Sequence, residues 1–108
     1  MSLDWTKREF EVYVLLYAAH CNFIETDEER KYILSKVDEA TFNKMHTEIV
    51  VESEHQNIEK IQQYLLENNY SIQDRKELLN DIKEVFFADG TVDAIERKVF
   101  VLLKKILS

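Results

Sequence analysis

Apolar residues recur along this chain at spacings of three and four, the period of amphipathic helices. The breaks in that pattern divide it into six helical segments. The first runs from about Asp4 to Cys21. Its stretch Val12-Tyr13-Val14-Leu15-Leu16-Tyr17-Ala18-Ala19 is apolar on every side, which marks a helix buried among others. β-Branched residues there would also suit a strand, but Lys7-Arg8-Glu9 runs into the stretch without a turn signal.

The second helix starts near Thr26, where Thr26 and Glu29 have capping-box spacing, and turns Tyr32, Ile33 and Val37 inward. The third covers roughly Thr41 to Val51, with Phe42, Met45, Ile49 and Val50 as its stripe. The fourth opens with Ser53 and Gln56, carries Ile58, Ile61, Leu65 and Leu66, and ends at Asn68-Asn69. The fifth opens at Ser71 with Asp74 three residues on, and buries Leu78, Leu79, Ile82, Val85 and Phe86. Gly90 ends it as the natural left-handed residue. The sixth opens at Asp93 with Glu96 at the capping-box position. Its stripe is Ile95, Val99, Leu102, Leu103, Ile106 and Leu107, and Lys104 and Lys105 suit the negative end of the helix dipole.

One glycine and no proline in 108 residues leave little room for hairpins or glycine-rich phosphate loops. The expected fold is therefore all-α: a single domain over residues 1–108, a compact bundle of about six short helices. A weak internal repeat relates its two ends. Tyr17-Ala18-Ala19 to Glu25, followed by Glu29-Arg30-Lys31, echoes Phe86-Phe87-Ala88 to Asp93, followed by Glu96-Arg97-Lys98. The first and second helices would thus pair as the fifth and sixth do, around a pseudo-twofold axis.

Charge narrows the partners. The net charge is −7, and the acidity lies in residues 1–54, which hold 6 basic and 12 acidic side chains against 8 and 9 in residues 55–108. Nucleic acid and anionic lipid are not expected as partners, whereas cations or a basic protein surface are. A single cysteine, Cys21, allows no intrachain disulfide and fits a reducing compartment. No apolar run reaches membrane-spanning length, and the N-terminus lacks the order of a secretion signal. The expected location is the cytoplasm, without membrane insertion.

Candidate chemistry gathers at the turn Asp89-Gly90-Thr91-Val92-Asp93-Ala94-Ile95-Glu96, where Asp89, Asp93 and Glu96 surround one bend. It matches the second half of a calcium loop. The first half fails, because Val85 and Phe87 stand where ligands belong. Three carboxylates could still hold Ca²⁺, Mg²⁺ or Mn²⁺. Helix capping by Gly90, Asp93 and Glu96 explains all but Asp89 without a metal. A second cluster, Glu25-Thr26-Asp27-Glu28-Glu29, exceeds what a cap requires, and the two acidic turns would meet if the helix pairs pack side by side. His20-Cys21 has no second ligand pair at zinc spacing, and His46 and His55 fall on helix surfaces. Ser35, Ser53 and Ser71 sit in helices or caps, and no phosphate or dinucleotide fingerprint exists, so no enzymatic activity is expected. The aromatic-rich first third, from Trp5 to Tyr32, reads as core filling, or in part as a partner groove.

Ala88-Asp89-Gly90, Val92, Asp93 and Glu96, with their degenerate echo at Ala19 to Glu29, resemble the tellurite-resistance TerB-like family, which also occurs at the N-terminus of some membrane-anchored J-domain co-chaperones. The resemblance is specific over residues 78–107 and looser over 10–37. It implies an all-helical accessory module of two helix pairs, cytoplasmic, without established catalysis, and with acidic loops proposed to bind a metal. Residue by residue, Asp89, Asp93 and Glu96 match that pattern in the second pair, and Glu25 with Glu28 or Glu29 matches the later acids of the first. His20-Cys21 replaces the Asp-Gly step, which removes one ligand. The resulting expectation is a non-catalytic interaction module linked to stress or tellurite resistance, with a divalent cation at Asp89, Asp93, Glu96, Glu25 and Glu28. The alternatives are a purely structural helical adaptor without metal and, less favoured, a metal-assisted hydrolase.

Overall fold

The computed structural model describes residues 5–20, 27–68, 70–87 and 94–107. Six helices occupy them: α1 (Lys7–His20), α2 (Asp27–Lys36), α3 (Glu39–Val50), α4 (Glu54–Glu67), α5 (Ile72–Phe87) and α6 (Ala94–Leu107). No strand occurs among the described residues. The Cα radius of gyration is 12.8 Å, close to the roughly 13 Å of a compact chain of this length.

α1 is the axis of the bundle. It packs most extensively on α3 and α5, and also touches α2, α4 and α6. Every residue from Val12 to Ala19 is at most 3 % exposed. The run that is apolar on all sides is therefore covered on all sides, and the helical reading of its β-branched residues holds. Around it the core gathers Ile33 of α2, Met45 and Ile49 of α3, Ile61 of α4, Leu78, Ile82 and Val85 of α5, and Leu103 and Leu107 of α6, among others.

Side chains that satisfy orphan amides set several helix starts. At α4, Ser53 Oγ accepts from the Gln56 amide at 3.2 Å while the Ser53 amide donates to Gln56 Oε1 at 2.9 Å, the expected capping box. At α5, Ser71 Oγ accepts from the Asp74 amide at 3.0 Å. Two starts differ from the sequence reading. α1 begins at Lys7 rather than near Asp4, because Thr6 and Glu9 form a capping box: the Glu9 amide donates to Thr6 Oγ1 and the Thr6 amide to Glu9 Oε1. α3 begins at Glu39 rather than Thr41, because the Asp38 carboxylate accepts from the Thr41 amide at 2.9 Å. The caps expected at Thr26, Gly90 and Asp93 lie outside the described residues.

Helix ends are closed partly from a distance. Arg8 Nη1 donates to the Lys36 carbonyl at 2.8 Å, binding the end of α2 to the start of α1. Arg75 donates from Nε to the Tyr70 carbonyl and from Nη1 to the Leu107 carbonyl, which ties the start of α5 to the end of α6.

Four residues assigned to inner stripes are exposed: Val50, Leu66, Ile95 and Leu102. Each sits at the edge of its apolar arc. A stripe wider than its neighbours can cover leaves its margin in water. α6 shows this most clearly, since its main contacts are with α5 and α1 alone. α5 packs on α1, α2 and α6. The joints that would define the repeat, residues 21–26 and 88–93, lie outside the described residues.

Candidate functional site

Of the five predicted ligands, Asp89, Asp93 and Glu25 lie outside the described residues. Glu28 is exposed in the first turn of α2. Glu96 behaves differently: it lies in the first turn of α6, is only 5 % exposed, and is engaged by a partner. Among the described residues, no three His, Cys, Asp or Glu side chains gather as a metal site would require. His55 is exposed and pairs with Glu59 one helical turn on, at 2.7 Å. His46 is half-buried and stacks on Phe42, deeper than its expected surface position.

Among the described residues, most acids of the first half are committed within the chain, which the sequence did not reveal. Tyr13, inside α1, donates to Asn57 Oδ1 at 2.7 Å and approaches Glu52 Oε1 at 3.1 Å. One turn on, Tyr17 donates to Glu54 Oε1 at 3.0 Å. Tyr70 donates to Glu11 Oε2 at 2.7 Å across 59 residues of sequence. Lys60 bridges Glu48 Oε1 at 2.8 Å and Glu52 Oε2 at 2.6 Å, with its ammonium 5.8 Å from the Trp5 ring centre.

These pairings shift the groups in opposite senses. Burial, then the neighbouring carboxylates, pushes the Tyr13 and Tyr70 phenols far above their usual range, so both stay neutral. Burial lowers Lys60, but hydrogen bonds to Glu48 and Glu52 outweigh it and the net shift is upward. The Lys44 hydrogen bond, followed by the Thr6 amide, holds Glu9 below the usual carboxylate range. The cluster is thus a set of protonated phenols and paired charges that stitches α1 to α3, α4 and α5.

Open surface occurs elsewhere. A groove of about 540 Å³ runs between α4 and α6, which do not pack closely on each other. Gln62, Leu65 and Leu66 form one wall, Ile106 and Lys105 the other, and Arg75 stands at the end. Leu65 and Ile106 are half-buried, whereas Leu66 is 88 % exposed. Leu102 lies one turn before Ile106 on α6 and extends the apolar strip, with Ile95 two turns further back. The sequence signal for this groove was the excess width of the α4 and α6 stripes. A second hollow, of about 230 Å³ between α1, α2 and α5, is lined by Arg8, Glu11, Lys36 and Asp81. Its charges are engaged: Lys36 pairs with Asp81 at 3.1 Å, Arg8 holds the Lys36 carbonyl at the end of α2, and Glu11 accepts from Tyr70.

No helix is long and apolar enough to cross a membrane. No family model, no curated protein and no solved structure matches the chain.

Proposed function

We propose that this chain is a non-catalytic, cytoplasmic interaction module of the TerB-like kind, and that it docks a protein partner in the groove between α4 and α6. One observation carries this reading: Leu66 is 88 % exposed beside half-buried Leu65 and Ile106. A lone surface leucine needs no explanation, but apolar residues converging on one groove mark an interaction surface. The likeness of Ala88 to Glu96 to the TerB-like acidic turn supports a link to stress or tellurite resistance.

Site-specific photo-crosslinking tests the docking. A photoreactive residue replaces Leu66 in one variant and exposed Lys31 in another, in cells that naturally express the chain. A discrete adduct formed from position 66 and missing from position 31 supports the reading. The same adducts from both positions, or none from either, would sink it.

A second reading adds a divalent cation held by Asp89, Asp93 and Glu96, with Glu25 and Glu28 alongside. Its support is the likeness of Asp89, Asp93 and Glu96 to the TerB-like acidic turn. Capping bonds from backbone amides would engage the same carboxylates without metal. Titration with Ca²⁺, Mg²⁺ and Mn²⁺ separates the two. Heat of binding, a rise in melting temperature and loss of both in Asp89→Ala support the ion. No change at millimolar ion leaves the metal-free adaptor.

A further inference from the structure

The single tryptophan of the chain stands outside the helices. Trp5 precedes the Thr6 that caps α1, and its half-buried ring lies against α1 and α4 together. The ring centre is 4.5 Å from that of Tyr13 and 6.4 Å from that of Tyr64. The Lys60 ammonium stands 5.8 Å away, within the range of a cation–π contact. We propose that Trp5 is a latch. It closes over α1 and α4 while Lys60 is ion-paired, and opens without unfolding the bundle when that pairing fails.

The bundle holds itself at this point without Trp5. The Thr6–Glu9 box sets the start of α1, and Lys44 of α3 pairs with Glu9. Behind the latch, Phe10 stacks on Tyr64 with ring centres 4.1 Å apart, and the Tyr13 hydroxyl is bonded to Asn57. Opening therefore costs the contacts of one ring and breaks no helix, which is the condition for a local motion at less than the energy of global unfolding.

Lys60 makes closure conditional. Two carboxylates place its ammonium: Glu48 of α3 at 2.8 Å, and Glu52 of the α3–α4 connection at 2.6 Å. Glu52 is in turn met by the Tyr13 hydroxyl at 3.1 Å. A lysine stem is flexible and its ammonium strongly hydrated, so without these partners the head group turns to water and leaves the ring. The Lys60 side chain is 28 % exposed, so salt reaches the pair. Tyr13, Glu52, Lys60 and Trp5 thus form one chain of contacts, in which the ionic state of the α3–α4 corner decides whether the segment before α1 stays docked.

Trp5 fluorescence reads the latch directly, because no other tryptophan contributes. Quenching by acrylamide, a neutral probe, is measured on the full chain with far-UV circular dichroism alongside. Lys60→Met keeps an unbranched stem and removes the charge. It should raise the quenching constant about twofold, as the loss of an exposed cation–π contact implies, with helicity unchanged. Glu48→Gln with Glu52→Gln, which leaves Lys60 charged but without its carboxylates, should do the same. Lys44→Met breaks the neighbouring pair with Glu9, leaves Lys60 as it is, and should not. On heating, wild-type fluorescence should change before the circular dichroism does. Equal quenching in the wild type, Lys60→Met and the double variant would overturn the control by the ion pair. Coincident thermal transitions would overturn the latch, since Trp5 would then leave only with the whole bundle. Should Lys60→Met lose helicity, a salt titration of the wild type decides: quenching that rises with sodium chloride at constant circular dichroism supports the latch, and quenching that stays flat refutes it.

Discussion

The Tyr13 hydroxyl lies 2.7 Å from Asn57 Oδ1, joining the buried stretch of the central helix α1 to α4 through a buried polar side chain. Removing that hydroxyl strands a buried amide oxygen and takes a donor from Glu52. Tyr13→Phe is therefore expected to lower unfolding free energy by about 1–3 kcal/mol. Urea denaturation followed by circular dichroism measures it. A change below the error of the fit would show that water replaces the phenol.

Alkaline pH should unfold the chain early. Tyr13 and Tyr70 have folded pKa values raised above the usual 10, with burial as the main cause. Their stabilisation is complete below the unfolded value. It is lost as pH climbs above 10, where the unfolded phenols ionise and the folded ones stay protonated, at about 1.4 kcal/mol per pH unit for each tyrosine. Tyr70→Phe should flatten the fall in melting temperature between pH 10 and 11. An unchanged slope would mean that Tyr70 ionises within the fold.

Acid acts on the other members of the network. Glu9 is held down by Lys44 and by its capping bond with Thr6, Asp74 by Lys7 and Ser71, and Asp38 by Thr41. These are depressed values, so their stabilisation is present above the ordinary carboxylate range and is lost as pH falls through and below 4.5 for Glu9 and 3.8 for the aspartates. Melting temperature against pH should drop across that window in the wild type. Glu9→Gln, which starts lower, should drop less steeply.

The capping box of α4 offers a local test. Ser53→Ala removes the side-chain acceptor for the Gln56 amide and should cost about 1 kcal/mol. Thermal melts give the value, and Ser53→Asp, which keeps an acceptor, should recover most of it.

A core truncation probes the central helix. Leu16 is fully buried within α1. Leu16→Ala should cost about 3–5 kcal/mol through lost burial and the cavity left behind. A loss under about 1 kcal/mol would mean that the neighbouring helices collapse into the gap.

The sequence carried the helices well and their surroundings less well. Period and caps fixed α4 and α5 closely, because Ser53 with Gln56 and Ser71 with Asp74 are local signals. Thr6 with Glu9 is equally local, and would have placed the start of α1. Stripe width misled at Val50, Leu66, Ile95 and Leu102, since the arc a helix buries depends on which neighbours reach it. The bonds from Tyr17 to Glu54 and from Tyr70 to Glu11 join residues 37 and 59 apart, and no local pattern encodes such partners. Of the acidic turn, Glu96 was found buried where a capping residue would usually remain wet.

The placement of α1 also bears on biosynthesis. The ribosome delivers Val12 to Ala19 long before α5, residues 72–87, which supplies one of its two main walls. Throughout that interval an eight-residue aliphatic and aromatic segment has only part of its cover, the condition that recruits chaperones and favours aggregation. Slowing translation between α4 and α5 should lower soluble yield more than slowing it after α6.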